Sequence, residues 1–122
     1  LAVYLEKLIE RPLNENIASL NSTDVEKLFQ VKNSLLKNIS NTPQLKELAE
    51  DVGFSESKLQ KGFKQVFGKS IYQYALFEKM QVAEKMLKSR KYSISEVGYE
   101  LGYSNLSHFT KAFRKQFGVN PK

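Results

Sequence analysis

Apolar residues recur along this chain at three- and four-residue spacing, the period of a helix with one buried face. Val25, Leu28, Phe29, Val31, Leu35, Leu36 and Ile39 mark one such stripe. Leu45, Leu48, Ala49 and Val52 mark a second, and Leu59, Phe63, Val66 and Phe67 a third. A longer stripe holds Ile71, Tyr74, Ala75, Met80, Ala83, Met86 and Leu87. Ile94, Val97 and Leu101, then Phe109, Phe113 and Phe117, complete the series. A short stripe of Val3, Leu5, Leu8 and Ile9 precedes them all and stops before Pro12, and residues 12–22 read as a polar, Asn-rich loop. No run alternates as a strand would, and the prolines at 12, 43 and 121 fall at element edges. The pattern predicts an all-α chain.

Local signals place the helix ends. Thr23-x-x-Glu26 and Ser93-x-x-Glu96 have the form of capping boxes. Thr42-Pro43 reads as a helix start, with Thr as the cap and Pro at the first helical position. Gly53 is placed to end one helix and Ser55 to cap the next, which Gly68 closes. Asn38 to Asn41 reads as a break, Ser89 to Tyr92 as a basic polar link, and Gly118 to Pro121 as the start of a turn.

Two of these stretches are copies of one another. Leu48-Ala49-x-x-Val52-Gly53-Phe54-Ser55 returns as Val97-Gly98-x-x-Leu101-Gly102-Tyr103-Ser104, 49 residues later. Phe63-x-x-x-Phe67-Gly68 returns as Phe113-x-x-x-Phe117-Gly118, 50 residues later. The slip implies that the second turn is one residue longer. Each copy is two short helices joined by a Gly turn, with a small residue, Ala49 or Gly98, where the helices cross. Gly98 costs about 1 kcal/mol of helix propensity relative to Ala, which implies a packing reason for it. A tandem helix-turn-helix makes double-stranded DNA the leading partner, because this arrangement presents its second helix to a major groove. The expected parts are a first unit at 43–68, a connecting helix at 70–88 and a second unit at 93–118. Together they form a DNA-binding domain over 39–122, preceded by an N-terminal helical segment at 1–38. The connecting helix, at ~1.5 Å per residue, is roughly 27 Å long, a spacer compatible with grooves ~34 Å apart.

Charge sharpens this picture. The net +6 is unevenly spread. Residues 1–36 hold 4 basic and 5 acidic residues, whereas 37–122 hold 15 basic and 8 acidic, so the excess lies on the repeated units. On the second helix of the first unit, Ser57, Lys58, Gln60, Lys61 and Lys64 lie off the apolar stripe. Their matches in the second unit are Ser107, His108, Thr110, Lys111 and Arg114. Such donors and acceptors are what base edges and phosphates recognise.

Other chemistry has little to stand on. The chain has no Cys and one His, so disulfides and most zinc sites are excluded. No metal or cofactor is expected. No apolar run approaches ~18 residues, and no signal peptide is visible. No paired acids, nucleophile–base pair or phosphate loop is present, and the Glu47, Glu50 and Asp51 cluster reads as a solvated acidic face. An enzyme is therefore the weakest reading. The alternative to DNA is a helical protein-interaction module whose basic faces bind an acidic partner. Exposed apolar residues on the reading helices would favour it, and Leu106 is the candidate.

Gly102-Tyr103-Ser104-x-x-Ser107-His108-Phe109-x-x-x-Phe113-x-x-x-Phe117-Gly118-x-x-Pro121 resembles the signature of the AraC family of bacterial transcription regulators. The first unit and Tyr74-x-x-x-x-Lys79-x-x-x-Ala83 agree in register, so the resemblance covers about Ile39 to Pro121. It implies two helix-turn-helix subdomains joined by a long helix, bound to adjacent major grooves of promoter DNA. It also implies activation through contact with RNA polymerase, in the bacterial cytoplasm at the nucleoid. Base contacts map onto Ser57, Gln60 and Lys61, and onto Ser107, His108, Thr110 and Lys111. Phosphate contacts map onto Lys58, Lys64, Lys79, Arg114 and Lys115. The family often has Arg where Lys79 stands; Lys neutralises a phosphate but lacks the bidentate fork. The phrase Lys58-Leu59-Gln60-Lys61-Gly62-Phe63 with Val66-Phe67-Gly68 further resembles a branch controlling siderophore and iron uptake. The family pattern continues past Pro121 into a closing helix, and many members carry a ligand or dimerisation domain before the DNA-binding part. The chain thus reads as a fragment, monomeric by itself, of a regulator that dimerises when full length. Residues 1–36 read as the end of that preceding domain, as a linker, or as a segment packed on the first unit.

Overall fold

The computed structural model describes residues 19–122. The stripe at Val3 to Ile9 and most of the loop after it lie outside the described residues. Among the described residues the order is α1 (Ser22–Lys37), α2 (Leu45–Val52), α3 (Glu56–Phe67), α4 (Ile71–Lys88), α5 (Ile94–Glu100) and α6 (Leu106–Phe117), with no strand. Two starts differ from expectation. Helix α1 is capped by Asn21, whose Oδ1 accepts from the Asp24 N–H at 2.8 Å while Asp24 Oδ2 accepts from the Asn21 N–H at 3.2 Å. Asn is as good a cap as Thr, and the reciprocal bond comes from Asp24 rather than Glu26. Helix α2 begins two residues beyond Pro43, after Gln44 in an extended conformation that gives no side-chain cap.

The packing divides the chain into two units. One groups the residues up to Lys37 with Pro43–Tyr74; the other groups Asn38–Thr42 with Ala75–Lys122. In the first, α1 packs on α2 and α3. Val25, Leu28, Val31 and Leu35 of α1 are buried, as are Leu48, Ala49 and Val52 of α2 and Leu59, Phe63 and Val66 of α3. Phe63 and Phe67 meet Tyr74 at 5.5 and 5.8 Å between ring centres, and Phe29 meets Phe67 edge-on at 5.1 Å. Burying side chains of this size stabilises by about 1.5–3 kcal/mol each.

In the second unit Met80, Ala83 and Leu87 of α4 form one cluster with Val97, Leu101, Phe109 and Phe113. The aromatic stripe runs along α6, with Phe109–Phe113 at 6.2 Å and Phe113–Phe117 at 4.5 Å. Leu28, Val31 and Leu35 of α1 recur 52 residues later as Met80, Ala83 and Leu87 of α4, all buried. The repeated object is thus a three-helix unit: a scaffold helix followed by a helix-turn-helix. Helix α1 is the scaffold helix of the first unit.

Candidate nucleic-acid interface

Each reading helix is held at both ends. In the first unit α2 stops at Gly53, in the left-handed region at φ 72°, and the Phe54 N–H donates back to the Ala49 carbonyl at 3.0 Å. Ser55 then caps α3, its Oγ accepting from the Lys58 N–H at 3.0 Å. In the second unit the Ser93–Glu96 capping box forms as expected, with both reciprocal bonds present. The Tyr103 N–H donates to the Gly98 carbonyl at 2.9 Å, matching Phe54. The cap of α6 is Asn105, whose Oδ1 accepts from the His108 N–H at 3.2 Å. Ser104 is the repeat partner of Ser55 by the spacing of the turn, but Asn105 does its work. The inserted residue therefore lies between the Gly turn and the reading helix. Gly68 and Gly118 close α3 and α6 through N–H bonds to the Lys64 and Arg114 carbonyls at 2.8 and 2.7 Å.

The small residue at the second crossing has a visible cause. A Cβ on Gly98 would lie 3.2 Å from Phe109 Cδ2 and 3.5 Å from its Cβ. In the first unit the matching pair is Ala49 and Leu59, both buried. A smaller residue below thus accompanies a larger one above.

The expected reading residues fall into coherent faces. Ser57, Gln60, Lys61 and Lys64 are exposed, and their i, i+3, i+4, i+7 spacing puts them on one side of α3, opposite Leu59, Phe63 and Val66. On α6, Ser107, Lys111 and Arg114 are exposed and Thr110 is half-buried on the same side; His108 and Lys115 are exposed along its edge. The structure brings these residues together within each unit.

Two expected phosphate ligands are engaged elsewhere. Lys58 Nζ pairs with Asp24 Oδ2 at 3.2 Å and lies 4.5 Å from the Phe54 ring centre. Asp24 is buried at 8% exposure and belongs to the cap of α1. Lys58 thus ties the first turn of the reading helix to the scaffold helix. In the sequence only Asn21-x-x-Asp24 marks Asp24, and its partner is 34 residues away, so this role has no local signature. Lys79 Nζ sits 5.2 Å from the Tyr103 ring centre, a cation–π contact between α4 and the second turn. Burial lowers the Lys79 pKa and raises that of Tyr103.

A second contact was also invisible in the sequence. Ser40, in the segment between α1 and α2, donates its hydroxyl to the Glu100 carbonyl at 2.7 Å. Ile39 packs against the second-unit cluster. The Ser40 carbonyl oxygen fills the space that a Cβ on Gly102 would need. Gly102, at φ 90°, is therefore required both by its backbone and by the chain lying on it.

Two scaffolded helix-turn-helix units, each with an exposed polar and cationic face on its second helix, define a class: major-groove DNA-binding proteins. Comparison with known proteins narrows it. A family described as "Helix-turn-helix domain" matches residues 48–122. The chain is 28% identical over 116 residues to the xylose operon regulatory protein of Escherichia coli K12, covering 95% of this chain and 29% of that protein. It is 29% identical over 117 residues to the Msm operon regulatory protein of Streptococcus mutans, covering 96% of this chain and 42% of that one. Among solved structures, a transcriptional regulator from Chromobacterium violaceum, described as AraC-type and DNA-binding, superposes with a TM-score of 0.74. That match is 28% identical and covers 83% of this chain and 90% of the other. This chain belongs to the AraC-type helix-turn-helix family of sequence-specific DNA-binding transcription regulators. It spans less than half the length of either of the two operon regulators it matches.

Proposed function

We propose that this chain is the promoter-reading part of a bacterial transcription activator. In this reading α3 and α6 each enter a major groove, the two grooves being adjacent on the duplex. Ser57, Gln60 and Lys61 contact bases from α3, and Ser107, His108, Thr110 and Lys111 contact them from α6. Lys64, Arg114 and Lys115 neutralise phosphates. Lys58 and Lys79 act within the protein, holding α3 to α1 and the second turn to α4. The observation that carries the reading is the pair of capped helices whose exposed residues are the donors and acceptors expected of base readers. The two faces share Ser and Lys at two places but differ at Gln60 against Thr110 and at Lys58, paired with Asp24, against His108, so the operator is asymmetric and one chain spans it. RNA polymerase is the further partner, and the protein works with the chromosome in the cytoplasm.

Selection of binding sites from random duplexes, followed by footprinting, tests this. The expected result is an asymmetric site with two protected stretches about one helical turn apart. Lys61→Ala and Lys111→Ala should each relax preference at separate base positions, and Lys64→Ala and Arg114→Ala should weaken all sequences alike. Equal loss on every sequence from all four changes would reject these base readers. The selected site also identifies the controlled genes, and so tests the siderophore-branch resemblance.

Leu106 is exposed at 44% as the first residue of α6, the feature that would favour a protein-interaction module. One apolar residue at the start of a reading helix suits contact with a thymine methyl equally well. Competition separates the readings: displacement by heparin with no preference for any duplex would favour the protein partner.

A further inference from the structure

Beside the reading face of α3 lies a cavity of about 240 Å³, lined by Leu45, Gln60, Lys61, Lys64, Ser70, Ile71 and Tyr72. Three of these residues belong to the reading face, and the others come from the starts of α2 and α4 and the link before α4. The walls are mainly apolar: Leu45, Ile71, the Tyr72 ring and the lysine stems, whose charged heads stay in water. Ile71 is buried, whereas Tyr72 is 56% exposed although its ring is large and apolar. The volume is below the ~300–1,000 Å³ of pockets that enclose drug-sized ligands. An apolar seat of this size with a cationic rim suits a group apolar on one side and anionic on the other.

We propose that this cavity seats one sugar–phosphate of the DNA backbone, with the deoxyribose against Leu45 and Tyr72. The phosphate then accepts hydrogen bonds from the Tyr72 hydroxyl and Lys64. The inference rests on α3 being a reading helix and adds Tyr72, at the start of α4, as a binding residue. Tyrosine hydroxyls are among the ordinary donors to phosphate, and such contacts set register on the duplex rather than sequence preference. Repeat register puts Lys122 where Tyr72 stands, so this contact distinguishes the first unit from the second.

The test uses the full chain and its selected duplex. Tyr72→Phe should weaken binding roughly ten- to a hundredfold on every sequence, the scale of one hydrogen bond to a charged group, and Tyr72→Ala should weaken it further. Neither should change the dependence on salt, because no cation is lost, whereas Lys64→Gln should lower the slope of log K against log salt by about 0.9. Phosphate-ethylation interference should lose one position in Tyr72→Phe, and melting temperature should stay unchanged because Tyr72 is exposed. Wild-type affinity and an unchanged ethylation pattern in Tyr72→Ala would overturn the proposal while leaving the reading helices standing. Loss of effect from Lys61→Ala as well would reject the reading of α3 itself.

Discussion

Where the first unit crosses its helices with Ala49 and Leu59, the second uses Gly98 and Phe109. Where the first turn is Gly53 in open space, the second is Gly102 with the Ser40 carbonyl laid across it. The third difference is on the reading helix. Gly62 of α3 faces Leu28 of the scaffold helix, a Cβ there lying 3.2 Å from Leu28 Cδ1, and Ala112 occupies the matching place on α6. Lys58 of α3 is paired with buried Asp24, while its counterpart His108 has an exposed side chain. The lesson is that one framework tolerates exchanges of volume and charge when they are made in pairs. The pairs leave each reading helix capped and exposed, so the faces are free to diverge.

The turns offer the largest test of the comparison. Gly102→Ala should cost roughly 3 kcal/mol or more, combining left-handed strain with repair of the overlap with Ser40. Gly53→Ala meets nothing within 4 Å and should cost only about 1–2 kcal/mol. Denaturant midpoints of the two variants measure the difference, and equal losses would remove the Ser40 contact as its cause.

The crossing comes next. Gly98→Ala gains about 1 kcal/mol of helix propensity but crowds the Phe109 ring near its root, for a net loss of about 1 kcal/mol. Phe109→Leu in that background recreates the pair of the first unit. The two changes should therefore cost less together than the sum of their separate costs, with a coupling of about 1 kcal/mol. Simple additivity would mean that the crossing does not set the choice of Gly98.

A smaller effect concerns charge. Asp24→Asn keeps the shape of the cap but releases Lys58, which then becomes available to phosphate. The slope of log K against log salt should steepen by up to about 0.9, and should not change when Lys58 is already Gln. No change in either background would show that Lys58 cannot reach the duplex.

The smallest effect is a pH dependence in the second unit. The Ser93 N–H and hydroxyl hold the Glu96 carboxyl below its ordinary value of 4.5. Because the folded value is the lower one, the contribution is present above pH 4.5 and is lost as pH falls through the folded value. Thermal melts of wild type should therefore show an acid loss that Glu96→Gln lacks. Helix α2 has no side-chain cap to titrate.

Much of this was legible in the sequence because it is local. The span of α4, the stops at Gly53 and Gly68, the cap at Ser55 and the Ser93–Glu96 box depend on residues within a turn of one another. The extra residue in the second turn was legible from the change of spacing, although its cause, a cap moved to Asn105, was not. The Thr23 and Thr42 caps were misplaced because Asn21 is as good a cap and because packing starts α2 at Leu45 without one. Helix α1 was hard to recognise as a scaffold helix because its copy is offset by 52 residues, not 49 or 50, and shares a spacing rather than identities. The faces of α3 and α6 followed from helical period. The engagement of Lys58 by Asp24, and of Gly102 by Ser40, is tertiary and has no local signature.

The segment Asn38–Thr42 has a consequence for how the protein is made. It belongs to the second unit but is translated within the first, and Ser40 leaves the ribosome 60 residues ahead of its partner, Glu100. Helices α1 to α3 emerge first and have their own core, but this stretch between them waits for the second turn. Synthesis thus leaves one stitch open until the last helix pair arrives, and closing it completes the second unit.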